Sequence, residues 1–167
     1  MPLLIGVAQQ LVQKALVVND AGQLLMVQRP SPIPLRERWD LPGGPLAVGT
    51  NLEDGMRQAV LADTGLGVVP GPPVHTWEIT NTRDGQLVQT VVLVRVCRLS
   101  LAPVSDPQPP ALPAGWQQRV GWLSLNELRS VRLAYGVTEV LDLYLTHLAN
   151  TSQPQTGACD SGEASQS

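Results

Sequence analysis

Trp39-Asp40-Leu41-Pro42-Gly43-Gly44 and, a few residues on, Asn51-Leu52-Glu53-Asp54-Gly55-Met56-Arg57-Gln58-Ala59-Val60-Leu61-Ala62-Asp63-Thr64-Gly65-Leu66 decide how this chain folds. The first part is a turn, in which Gly43 and Gly44 permit close backbone approach or dihedrals that other residues avoid. The second part has a marked start and a marked stop. Asn51 supplies an N-cap with Asp54 three residues on, and the short acids of the first turn satisfy free backbone donors and the helix dipole. Gly65 suits a left-handed C-cap. A helix is therefore predicted over Leu52 to Thr64, although Gly55 inside it costs about 1 kcal/mol relative to alanine.

This turn and helix resemble the box of the Nudix hydrolase family. Gly44 takes the box's first glycine and Gly65 its last, Val60 and Leu66 take its two hydrophobic places, and Trp39 to Gly43 match the family's usual approach, with no insertion. The polar places differ, so the box is degenerate. The family's first glutamate falls on Thr50, its arginine on Gln58, the next glutamate on Ala59, and the paired glutamates on Ala62 and Asp63. Residues 59, 62 and 63 share one helix face, where the family's acids converge on metal ions. Here that face is Ala, Ala and Asp.

The resemblance implies an α/β chain with a Nudix-type α/β/α sandwich, a mixed β-sheet between helices. It also implies Mg2+ or Mn2+ as cofactor, with Asp63 as the remaining metal ligand. In the family's reaction water attacks a phosphorus of a nucleoside diphosphate linked to another group. The ions activate that water and neutralise charge on the phosphoryl oxygens. Magnesium dehydrates reluctantly and is held by carboxylates together with substrate phosphates, so one short acid should bind it poorly. Neighbouring charges do not repair the set. Glu53 and Asp54 serve the helix start, roughly two to three turns from Asp63, and Arg57 stands about 100° around the helix from the family's arginine place.

Outside the box, Leu11 to Val18 and Leu24 to Gln28 flank Asn19-Asp20-Ala21-Gly22 and read as a hairpin. After Pro70-Gly71-Pro72-Pro73, a second hairpin is predicted from Val74 to Thr82 and Leu87 to Leu99 around Arg83-Asp84-Gly85. The run Val91 to Val94 reads as a strand buried on both faces. Residues 102–115 are proline-rich and read as an irregular surface loop. Arg119 to Leu123 suits a strand, and Ser124-Leu125-Asn126-Glu127 is a capping box opening a short helix; this run also resembles the late part of many Nudix domains. Val137, Val140, Leu141, Tyr144, Leu145 and Leu148 form one apolar stripe at helical spacing. One domain over residues 1–149 is expected, followed by a polar tail, 150–167, unable to bury enough surface to order itself.

The chain has 167 residues, a net charge of −3 and no basic run, which gives no footprint for nucleic acid or an anionic membrane surface. No apolar run approaches the ~20 residues of a membrane helix, and the start of the chain has no basic leader. Cys97 and Cys159 have neither disulfide nor metal-ligand spacing, so the cytoplasm is the expected compartment. His75 and His147 lie in no nucleophilic pattern.

No residue is singled out as catalytic. Candidate substrate-binding residues are Arg29 and Arg38, whose paired donors match phosphate oxygens, Gly43 and Gly44 at the turn, and Trp77 and Glu78, which offer a base-stacking ring and a hydrogen-bond acceptor. Two functions are expected of such a chain. One is a weak or inactive hydrolase that binds a nucleotide-like small molecule or a protein partner through the cleft. The other is a working hydrolase whose metals are held by Asp63, substrate phosphates and loop acids such as Glu78 or Asp106.

Overall fold

The computed structural model describes residues 7–30, 37–100 and 118–151. The proline-rich stretch 102–115, the expected tail beyond Thr151, Asp106 and Cys159 lie outside the described residues.

Strand β1 (Val7–Val17) sets the layers. Ala15, Leu16 and Val17 are all buried, as a strand covered on both faces requires. Ala15 and Val17 pack with Met56 and Val60 of helix α1 (Leu52–Thr64). Leu16 turns the other way, to Val137, Val140 and Leu141 of helix α3 (Val137–Thr151) and Leu128 of the short helix α2 (Leu125–Arg129). Strand β2 (Leu24–Arg29) repeats the alternation, with Leu25 toward α1 and Leu24 and Met26 toward α2 and α3. Helices thus cover both sides of the strands, giving the α/β/α sandwich.

The strand layer holds two ladders. One is mixed, in the order β4 (Gly43–Pro45), β1, β6 (Gln86–Leu99), β5 (Val68–Arg83), with β1 and β6 parallel. The other is antiparallel, in the order β3 (Arg38–Asp40), β2, β7 (Arg119–Leu123). The first expected hairpin is corrected by this division. Its turn forms, with Asn19 Oδ1 accepting from the Ala21 and Gln23 N–H groups. The flanking strands then share only the bridge between Val18 and Leu24. They part because β4 and β6 occupy the edges of β1, while β3 and β7 occupy those of β2.

The second hairpin forms through Asp84 and Gly85, both with positive φ (50° and 75°), the backbone of a tight type I′ connection. Strand β5 starts earlier than the sequence reading placed it and carries Pro70-Gly71-Pro72-Pro73 within itself. An edge strand tolerates such prolines, and the register with β6 shifts there. Val91 is exposed while Val92 and Val94 are buried, so this run is not covered on both faces as expected. The α1-side core reaches β6 at Cys97 and Leu99, toward the far end of the strand.

Helix α1 has the predicted bounds. The Asp54 N–H donates to Asn51 Oδ1 at 2.8 Å, and Gly65 (φ 72°) donates its N–H to the Leu61 carbonyl. A Cβ on Gly55 would lie 2.3 Å from Leu46 Cδ1, the end of a side chain that would have to rotate to admit it. The Ser124–Glu127 capping box opens α2 as predicted. Helix α3 continues to Thr151, past the expected domain limit at 149. Among the described residues no helix is long and apolar enough to cross a membrane.

Candidate functional site

Three elements meet at the end of α1. Arg29 is the last residue of β2 and shares the α1-facing side with Leu25; Asp63 lies in the last turn of α1; Gly43 opens β4, beside Lys14 of β1. An acid in a last helical turn faces the negative end of the dipole, and this turn contains no basic residue, so Asp63 needs cationic or N–H partners from elsewhere. It has them. Arg29 binds it through both guanidinium arms, Nη1 to Oδ1 at 2.8 Å and Nη2 to Oδ2 at 2.6 Å, the fork geometry that arginine offers a carboxylate. The Gly43 N–H donates to Oδ2 at 2.9 Å, and Gln118 Nε2 approaches Oδ1 at 3.4 Å.

Arg29 also reaches the Gly43 carbonyl at 3.3 Å and lies 3.7 Å from Asp40 Oδ2. Asp40 in turn pairs with Lys14 and accepts the Leu41 N–H. The result is a chain of alternating charge, Lys14, Asp40, Arg29, Asp63, with no net charge of its own. Burial alone would lower the pKa of Arg29, but hydrogen bonding and charge from Asp63, aided by Asp40, hold it above its ordinary value.

The site residues named from sequence do not all converge here. Gly43 and Gly44 stand at the cluster, and a Cβ on Gly44 would lie 3.7 Å from that of Ala59, so helix α1 and the glycine turn face each other. Arg29 is engaged with Asp63. Arg38 pairs with Arg29 in the β2–β3 ladder and is exposed, with no ion pair among the described residues. Trp77 lies on β5 at the α3 side: it packs on the α2–α3 core, and its ring sits where a Cβ on Gly136 would be 2.5 Å away. Glu78 is exposed and accepts from Gln89 Nε2. Sequence reasoning missed Lys14, Asp40 and Gln118 as members of the cluster. Lys14 carried a usable signal, since a charge within an apolar inner strand requires a partner.

These residues are a poor match for a divalent cation. Such an ion takes oxygen ligands, yet both oxygens of Asp63 already accept two hydrogen bonds each. The residues that share its helix face are Ala59 and Ala62. Among the described residues no group of three or more His, Cys, Asp or Glu side chains is placed to hold a metal ion.

Solved structures of the same shape include a Nudix hydrolase from Nitrosomonas europaea (TM-score 0.64, 18% identity, covering 90% of this chain and 99% of that one). Another is an ADP-ribose pyrophosphatase from Streptococcus suis (TM-score 0.57, 22% identity, 87% and 94%). A third is the MutT protein from Methanosarcina mazei (TM-score 0.54, 19% identity, 87% and 97%). At these identities the likeness is one of fold. No curated protein matches the chain. Residues 9–144 match the NUDIX domain, and the chain belongs to the Nudix family.

Proposed function

We propose that this Nudix domain binds a nucleotide derivative at the glycine turn and the end of α1, as a weak or inactive hydrolase. The observation that carries this reading is the saturated carboxylate of Asp63, flanked by alanines where the family has metal-binding glutamates. The family's chemistry depends on cations that activate water and offset phosphoryl charge, and this acid is committed to arginine. The ligand class follows from the family and from the neighbours' names, among them an ADP-ribose pyrophosphatase. A cytoplasmic setting, expected from the absence of a disulfide pattern, is part of the same proposal.

The test pairs binding with turnover. ADP-ribose and a nucleoside triphosphate are titrated by thermal shift, since a ligand bound only by the folded state raises the midpoint. The same samples are assayed for pyrophosphate-bond cleavage with Mg2+ or Mn2+. Ligand-dependent shifts without cleavage support the reading. Metal-dependent turnover abolished by Asp63→Ala would overturn it in favour of a working hydrolase.

A further inference from the structure

We infer that the guanidinium of Arg29 is a built-in counter-cation, occupying the electrostatic place that a divalent ion holds in the family's box. The inference concerns the same site as the proposed function but does not need a nucleotide to bind. Its basis is the complete set of partners around Asp63: two donors from Arg29, one from the Gly43 backbone and one from Gln118. A carboxylate has about four lone-pair sites; three are taken at 2.6–2.9 Å and the fourth faces the longer Gln118 contact at 3.4 Å. The Asp63 side chain is only 13% exposed and that of Arg29 32%, so a metal would have to displace a partly buried fork rather than join it.

The charge pattern points the same way. Lys14, Asp40, Arg29 and Asp63 alternate in sign and their formal charges cancel, so each carboxylate of the cluster already has a cationic partner from the chain. The partners come from different elements: β2 supplies Arg29, the start of β4 supplies the Gly43 amide, and the residue before β7 supplies Gln118. Arg29 is thus a positioning residue that fixes the helix end against the glycine turn, through Asp63 on one side and the Gly43 carbonyl on the other.

The experiment compares the full chain with Arg29→Met, Asp63→Asn and the double variant, using Mn2+ alone as probe. Two readouts are taken: the unfolding midpoint with and without Mn2+, and Mn2+ binding by electron paramagnetic resonance. The wild-type midpoint should not move with Mn2+ or with a chelator. Arg29→Met should melt below both wild type and the double variant, because it alone leaves an unpaired, partly buried carboxylate. Any rise of the Arg29→Met midpoint with Mn2+ should be absent from the double variant, because the double variant has lost the Asp63 carboxylate that an ion would use. Saturable Mn2+ binding by wild type that Asp63→Asn removes would overturn the inference, as would an Arg29→Met variant that melts no lower than the double variant. If Arg29→Met does not fold, the wild-type and Asp63→Asn resonance titrations decide alone. Absence of nucleotide binding would sink the proposed function and leave this result standing.

Discussion

Two adjacent glycines, Gly43 and Gly44, should respond in opposite ways to the same added methyl. At Gly43 a Cβ would lie 2.0 Å from the Gln13 carbonyl oxygen and 2.9 Å from Lys14 Cα, on a backbone with φ of 149°. Both obstacles are backbone of β1, so no side-chain rotation relieves them; β4 must lift away. Lifting it weakens the hydrogen bond from the Ala15 N–H to the Pro42 carbonyl (2.8 Å) and that from the Gly43 N–H to Asp63 (2.9 Å). Strain of about 1–3 kcal/mol and two hydrogen bonds at about 1 kcal/mol each give a loss of about 3–5 kcal/mol for Gly43→Ala. For a domain of this size that lowers the unfolding midpoint by about 6–20 °C. At Gly44 the nearest atom to an added Cβ is that of Ala59 at 3.7 Å, an ordinary contact. Gly44→Ala should therefore be neutral, or stabilise by up to about 1 kcal/mol through a less flexible unfolded chain. Calorimetry or circular dichroism melts of both variants provide the assay. Equal midpoints would refute the assigned approach of β4 to β1.

Asn51→Ala removes the acceptor for the Asp54 N–H and should cost about 1 kcal/mol, read as a midpoint lowered by about 2–4 °C. Hydrogen bonds from the Ser124 backbone N–H and hydroxyl group hold the Glu127 carboxyl below its ordinary value of 4.5. Its contribution is therefore complete above that pH and is lost as pH falls through the lower folded value, so wild-type and Glu127→Gln melts should converge on acidification and differ at neutral pH. Burial pushes the Cys97 thiol up; in a Cys159→Ser background, a thiol reagent at neutral pH should react at the rate of unfolding, and fast labelling of the native protein would contradict the buried placement.

The frame of the fold was legible because its signals are local. Asn51, Gly65 and the Ser124–Glu127 pair each satisfy backbone groups within a turn of themselves, and the structure keeps all three. What the sequence hid depends on distant partners. The run from Leu11 to Gln28 looks like a hairpin because turn chemistry and β-propensity are local, whereas the parting of its strands is decided by β4, β6, β3 and β7. Val91 to Val94 could not be told from a fully covered strand, since coverage by α1 is a property of helix position. The same holds at the site. Asp63 was identifiable by spacing from Gly44 and Gly65, yet its partners Arg29, Gly43 and Gln118 come from 34, 20 and 55 residues away.

Box residues divide by the kind of work they do, which explains how this chain can keep the family's outline while altering its polar face. Gly65, together with Gly43 just ahead of the box, serves backbone geometry, and Val60 and Leu66 fill the α1-side core; losing any of them would damage the fold whatever the domain binds. The acidic places are different. Converging carboxylates repel each other unless a cation lies between them, so acids at 59 and 62 would demand positive charge beyond what Arg29 gives Asp63. Alanine at both places removes that demand and favours the helix. Asp63 can remain because its counter-charge is supplied by the chain itself, from Arg29.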